Sequence, residues 1–120
     1  MLIVVGTLLF PDRPYMVFAV SLAGVFPLFL NLATPEQAAS VSARMQETFL
    51  KPGGWVTTTS RSGEQWDAPN GWAPLQWIVF VGLRNYGFVT EAEEGARRWV
   101  ENILGVYQSS GRLLEKYDVE

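Results

Sequence analysis

The sequence predicts an all-α protein, two helical hairpins joined by one long polar loop. Three observations carry that expectation. Apolar residues return at three- and four-residue steps in separate segments of the 120-residue chain. Helix-start and helix-stop signals bracket those segments. Connections inside each pair are short, about Asn31–Thr34 and Gly87–Thr90, whereas the one between pairs runs from Lys51 to about Ala73.

Met1–Phe10 is rich in β-branched residues and Leu, and the breakers Pro11, Asp12, Arg13 and Pro14 end it. No basic segment precedes it, so it makes a poor signal peptide. Met16–Ala33 then runs eighteen residues without a charge, at the lower edge of membrane-spanning length. Pro27 and Asn31 interrupt it, and no basic cluster flanks it. The reading is therefore a helix buried on most sides, with a small membrane-anchored protein as the alternative.

Thr34-Pro35-Glu36-Gln37 combines a capping hydroxyl, a proline for the first helical position and the glutamine of a capping box. Ala38, Val41, Met45 and Phe49 extend that helix to about Leu50, where Lys51-Pro52-Gly53-Gly54 stops it. Trp55–Thr59 is a short β-prone stretch, followed by a polar loop to Gly71. Pro74 opens the third helix, with Leu75, Ile78, Val79, Gly82, Leu83 and Tyr86 inward and Gly87 as its stop. Thr90 and Glu93 spell a second capping box, and Ala92, Ala96, Trp99, Val100 and Ile103 carry the fourth helix to about Ser110 before Gly111. Leu113–Tyr117 is an apolar tail of undetermined type.

Composition narrows the chemistry. Nine basic against twelve acidic side chains give a net charge of −3, which opposes a nucleic-acid partner because phosphate binding needs a basic face. The chain has neither Cys nor His, so thiol nucleophiles, disulfides, a Ser-His-Asp triad and the usual zinc sites are excluded. No cofactor is indicated. Only 18% of residues are charged while 48% are hydrophobic, which fits a chain that packs against a membrane or more protein.

The loop Ser62–Pro74 concentrates what chemistry remains. An indole offers an apolar platform for the C–H face of a sugar ring, and Trp66 or Trp72 supplies one. Gln65, Asp67 and Asn70 would take the hydroxyls, since amides both donate and accept and a carboxylate accepts strongly. The structural alternative is a surface loop pinned by two buried Trp, with Asp67 and Asn70 capping the helix that begins at Pro74. Read from residues alone, Glu64 and Asp67 are also the obvious acid–base candidates.

Gln65-Trp66-Asp67-Ala68-Pro69-Asn70-Gly71-Trp72-Ala73-Pro74 resembles the signature of the trehalases of glycoside hydrolase family 37. Phe26-Pro27-Leu28-Phe29, Lys51-Pro52-Gly53-Gly54, Leu75-Gln76-Trp77, Asn85-Tyr86-Gly87 and Glu115-Lys116-Tyr117-Asp118-Val119 resemble its flanks in order and spacing, over about Ser21–Val119. The resemblance implies part of an (α/α)6 toroid, six helical hairpins around a sugar pocket. It also implies hydrolysis of α,α-trehalose to two glucose molecules with inversion. Such chemistry uses an acid and a base carboxyl about 6.5–9.5 Å apart.

By the same resemblance, the acid Asp lies upstream of the matched segment and the base Glu beyond Asp118-Val119, so neither Glu64 nor Asp67 is the pair. The family's PGGRF-type motif does not occur in the sequence. The expectation is a trehalase fragment: residues 1–15 unassigned and 16–120 a partial toroid domain, inactive alone. Gln65, Trp66, Asp67, Asn70 and Trp72 would bind trehalose or a glucose-like ligand. The remaining toroid or a second copy would cover exposed flanks. A non-catalytic sugar-binding or interaction module is the alternative function, and the compartment stays open between periplasm and cytoplasm.

Overall fold

The computed structural model describes residues 21–120. Elements follow in the order: a 3-10 turn Leu22–Val25, α1 (Phe26–Phe29), α2 (Pro35–Arg44), a π-helical turn Met45–Phe49, β1 (Leu50–Lys51), β2 (Gly54–Trp55), β3 (Asn70–Trp72), α3 (Ala73–Asn85), α4 (Val89–Ser110) and β4 (Lys116–Asp118). Helix dominates, and the strands are two short antiparallel ladders, β1 with β2 and β3 with β4.

The expected long helix over Met16–Ala33 lies partly outside the described residues, and within them it is helical only over Leu22–Phe29, as a 3-10 turn running into α1. Ser21 pairs with Thr58 as an isolated bridge, and its hydroxyl caps the 3-10 turn at the Ala23 N–H. Pro27 is accommodated at the start of α1, and Asn31 then turns the chain at φ 56°, a left-handed conformation that Asn tolerates. Among the described residues no helix is long and apolar enough to cross a membrane.

The Thr34 capping box forms as expected. Thr34 Oγ1 accepts from the Gln37 N–H at 3.2 Å, and Gln37 Oε1 accepts from the Thr34 N–H at 2.9 Å. After Arg44 the helix widens to a π turn, which keeps both Met45 and Phe49 fully buried and delivers the chain into β1.

The second capping box does not form. α4 begins at Val89 with Phe88 as N-cap and no side-chain cap bond. The physical reason is the tight αα turn: Gly87 and Phe88 N–H groups bond back to the Arg84 and Leu83 carbonyls at 3.0 Å, so the chain re-enters a helix before Thr90 is reached. Gly111, in the left-handed region at φ 68°, closes α4.

Three contacts organise the helices. Gly82 lets α1 lie directly on α3, since a Cβ there would come 3.1 Å from the Phe29 nitrogen and 3.2 Å from Leu28 Cβ. Asn85 Nδ2 then donates to the Leu28 and Phe29 carbonyls at 3.1 Å, satisfying the open C-terminus of α1. The Tyr86 hydroxyl donates to Ala33 O at 2.7 Å. The Asn85-Tyr86-Gly87 segment thereby fastens the first hairpin to the second.

The core lies between α2, α3, α4 and the β1–β2 hairpin, with Leu22, Val25, Leu28, Val41, Met45, Phe49, Trp55, Val79 and Leu83 fully buried. Trp55 sits at its centre, its ring against α4 where Gly95 has no side chain. A Cβ at Gly95 would lie 2.0 Å from Trp55 Cζ2, inside the indole. Gly95→Ala should therefore destabilise by about 1–3 kcal/mol or more in urea denaturation, through overpacking. Gly105→Ala, on the same helix with nothing within 4 Å, should stabilise by about 0.5–1 kcal/mol through helix propensity. Equal effects at the two sites would show that the Trp55 packing is not tight.

Candidate functional site

The polar loop is held from both ends by backbone pairing. Only the end of the Leu113–Tyr117 tail enters a strand, Lys116–Asp118: Asn70, Gly71 and Trp72 face Asp118, Tyr117 and Lys116. On the other side the Thr57 N–H donates to Asn70 O at 3.0 Å, and the Leu22 N–H to Thr57 O at 2.9 Å. The Ala68 N–H donates to Ser60 O at 2.9 Å and Asn70 N–H to Asp67 O at 3.0 Å, and the Ala68–Pro69 peptide is cis. The segment is an ordered Ω-like excursion rather than a slack linker.

The two indoles of the loop occupy different levels. Trp72 is buried, 6% exposed, whereas Trp66 is 47% exposed. Their rings stack at a centroid distance of 4.3 Å and an interplanar angle of 9°, an arrangement favourable beyond simple area burial. Trp72 Nε1 donates to Gln65 O at 3.1 Å, fixing the inner ring. Trp72 is therefore a foundation, and Trp66 carries the solvent-facing indole surface.

Asp67 is engaged by the loop itself. Its Oδ1 accepts from the Thr58 hydroxyl at 2.9 Å and its Oδ2 accepts from the Ser62 hydroxyl. The Ser62 and Thr58 hydroxyls hold the Asp67 carboxyl below its ordinary value, so near neutral pH it is a fixed anion and a hydrogen-bond acceptor. Neither Asp67 nor Asn70 caps α3, whose N-cap is Trp72 without a side-chain bond. Among the described residues no hydrogen bond uses the side-chain amides of exposed Gln65 or half-buried Asn70. Glu64 is exposed, its N–H accepted by Ser62 Oγ at 3.2 Å.

Four further residues contribute that the sequence reading does not single out. Thr58 and Ser62 orient Asp67, and their signal was two hydroxyl residues on the flanks of a loop carboxylate. Gln76 enters the sequence reading only within the Leu75-Gln76-Trp77 flank, yet an amide set between the apolar Leu75 and Val79 of a helix is the mark of a buried polar group with a fixed partner. Arg61, paired to Glu120, ties the outer loop to the end of the described chain.

Helical hairpins joined by an ordered loop with two stacked indoles are the architecture that the resemblance to helical-toroid glycosidases implies. A family model described as Trehalase matches residues 16–120. The chain belongs to the trehalase family, and the described residues are a mostly helical piece of that family's toroid. Periplasmic trehalase of Salmonella paratyphi B is 50% identical over 97 residues, covering 81% of this chain and 17% of the relative. The putative periplasmic trehalase of Salmonella typhi matches to the same extent. The solved neutral trehalase of Saccharomyces cerevisiae superposes with a TM-score of 0.79 at 33% identity, covering 86% of this chain and 20% of that one. The chain thus spans about a sixth of the length of the curated relatives it matches.

The Asp67 geometry sets a pH dependence. Because the folded value lies below the unfolded one, the stabilisation of the loop is complete above the unfolded carboxyl value, about 3.9. It is lost as pH falls through the lower folded value. Trp66 fluorescence in an acid titration should therefore change with a midpoint below about 3.9. Ser62→Ala should move that midpoint upward, and an unmoved midpoint would show that the hydroxyl does not govern the carboxylate.

Proposed function

We propose that this chain supplies the sugar-binding arc of an α,α-trehalase, an inverting hydrolase that yields two glucose molecules. The observation that carries the reading is the Trp66 indole, half exposed on a stacked and anchored Trp72. Gln65 and Asn70 of the same loop carry amides that can donate and accept. A pyranose lies with its C–H face on Trp66 and its hydroxyls toward Gln65 and Asn70. Asp67, already accepting from two hydroxyls, orients the loop and has lone pairs left for a sugar hydroxyl. Residues 16–120 act as one unit in this reading, and the family-model match over the same residues supports it.

The acid and base carboxyls of hydrolysis are assigned to parts of the toroid beyond these 120 residues. Glu64 and Asp67 are left out because the family resemblance puts the pair elsewhere, and Asp67, held below its ordinary value by the Ser62 and Thr58 hydroxyls, would in any case make a poor general acid. A partner completes the ring. Trp77, Val100, Leu104 and Tyr107 are each at least half exposed, and the last three follow one another at helical steps on α4. This apolar stripe is the face that further hairpins of the toroid, or a second copy, would cover.

Titration calorimetry with trehalose tests the sugar reading. The chain should bind measurably, and Trp66→Ala should weaken binding by about tenfold through loss of the stacking surface. No heat at millimolar trehalose would sink it. A glucose assay tests the missing pair: the isolated chain should show essentially no turnover, since loss of one positioned acid or base alone costs about 10²–10⁴-fold. Turnover at a normal enzyme's rate would place the catalytic carboxyls within this chain.

A further inference from the structure

We propose that Gln76, in the first turn of α3, is the positioning residue of the sugar-binding loop, holding the Trp66–Trp72 stack in place through the backbone of Trp55 and Gly71. The inference rests on the sugar-binding reading for its functional consequence, but its structural part stands separately.

Gln76 is 3% exposed and its amide is spent on one partner. Oε1 accepts from the Trp55 N–H at 2.9 Å, and Nε2 donates to Trp55 O at 2.6 Å. This two-bond exchange is what a neighbouring strand would offer, delivered by a side chain across 21 residues. It welds β2 to the start of α3. A buried amide with both ends paired rigidifies its surroundings, and one left unpaired is costly.

Gly71 lies directly on that weld. A Cβ at Gly71 would come 3.1 Å from Gln76 Nε2, 2.9 Å from Trp55 O and 2.8 Å from Val119 Cγ1. The backbone between Asn70 and Trp72 can sit so deep only because position 71 carries no side chain. Val119 closes the junction, its carbonyl accepting from the Gly53 N–H at 2.8 Å and its N–H donating to Pro69 O at 3.0 Å. The path is short: Gln76 sets Trp55, and the Trp55 carbonyl lies against Gly71 where no side chain would fit, with Asn70 on one side and Trp72 on the other. Trp66 rests on Trp72. Beside the backbone pairing to Thr57 and Lys116–Asp118, the geometry at the sugar face thus rests on an amide that does not itself face the sugar.

The test uses the full chain and a readout specific to the stack. Two indoles 4.3 Å apart couple their transitions and give an exciton couplet in circular dichroism, assigned by its loss in Trp66→Phe. Gln76→Met keeps length and burial but removes both hydrogen bonds. With the helical band retained, it should lose the couplet and bind trehalose about tenfold more weakly, the scale of a pair of hydrogen bonds. A folded Gln76→Met variant with couplet and affinity unchanged would overturn the proposal. A measurement on the unaltered chain covers the case in which that variant does not fold. The Gln76 side-chain NH2 protons and the Trp55 amide proton should exchange with solvent as slowly as core backbone amides, and rapid exchange of the NH2 protons would equally overturn it. If the couplet depends on Gln76 while the unaltered chain binds no trehalose, the positioning role holds and the sugar reading fails.

Discussion

The structure depends on where the Trp55 indole goes. A Trp buries about 150–250 Å², and at about 25 cal/mol per Å² that is roughly 4–6 kcal/mol as an upper estimate. Trp55 is fully buried, and it reaches that position because Gly95 on α4 leaves room for the ring and Gln76 on α3 takes its backbone. Its Nε1 finds no partner among the described residues, at a cost of about 1–3 kcal/mol. The burial outweighs that cost. One residue thus ties the β hairpin to both long helices.

The loop inherits its rigidity from this arrangement. Backbone bonds to Thr57 on one side and β4 on the other leave only its outer turn exposed, and there Asp67 is held by two hydroxyls. A loop that is to receive a ligand gains from being set before the ligand arrives, because ordering a flexible loop on binding would cost affinity. The exposed charges play a different part. Glu94 accepts from Arg97 and Arg98, which hold its carboxyl down to about 2. Screening makes such surface pairs weak contributors to stability. Their structural use is to aim Arg98 at the Lys51 carbonyl, 3.1 Å away, where it steadies β1.

Sequence patterning was a good guide where order is local. The Thr34 capping box, the α3 stripe, the Gly87 stop and the Gly111 cap depend on residues within a few positions of one another, and each forms. It was a poor guide where local signals compete. Thr90 and Glu93 have the right spacing for a cap, yet the tight turn at Gly87-Phe88 starts the helix ahead of them. Ser21–Ala33 is apolar enough for a helix, yet a bridge to Thr58 and a left-handed Asn31 break it.

By itself the sequence determined the helical class, the position of the loop and the membership that its ten-residue signature announces, because these follow from short-range spacing and residue chemistry. Only the tertiary structure decided that Trp72 is the foundation and Trp66 the face, that Asp67 answers to Thr58 and Ser62, and that Lys116–Asp118 is a strand completing the loop. Two indoles six residues apart look equivalent in a string of letters. They become different when residues from the far end of the chain pair beside one of them, since burial is set by what long-range contacts bring near and not by the side chain's own chemistry.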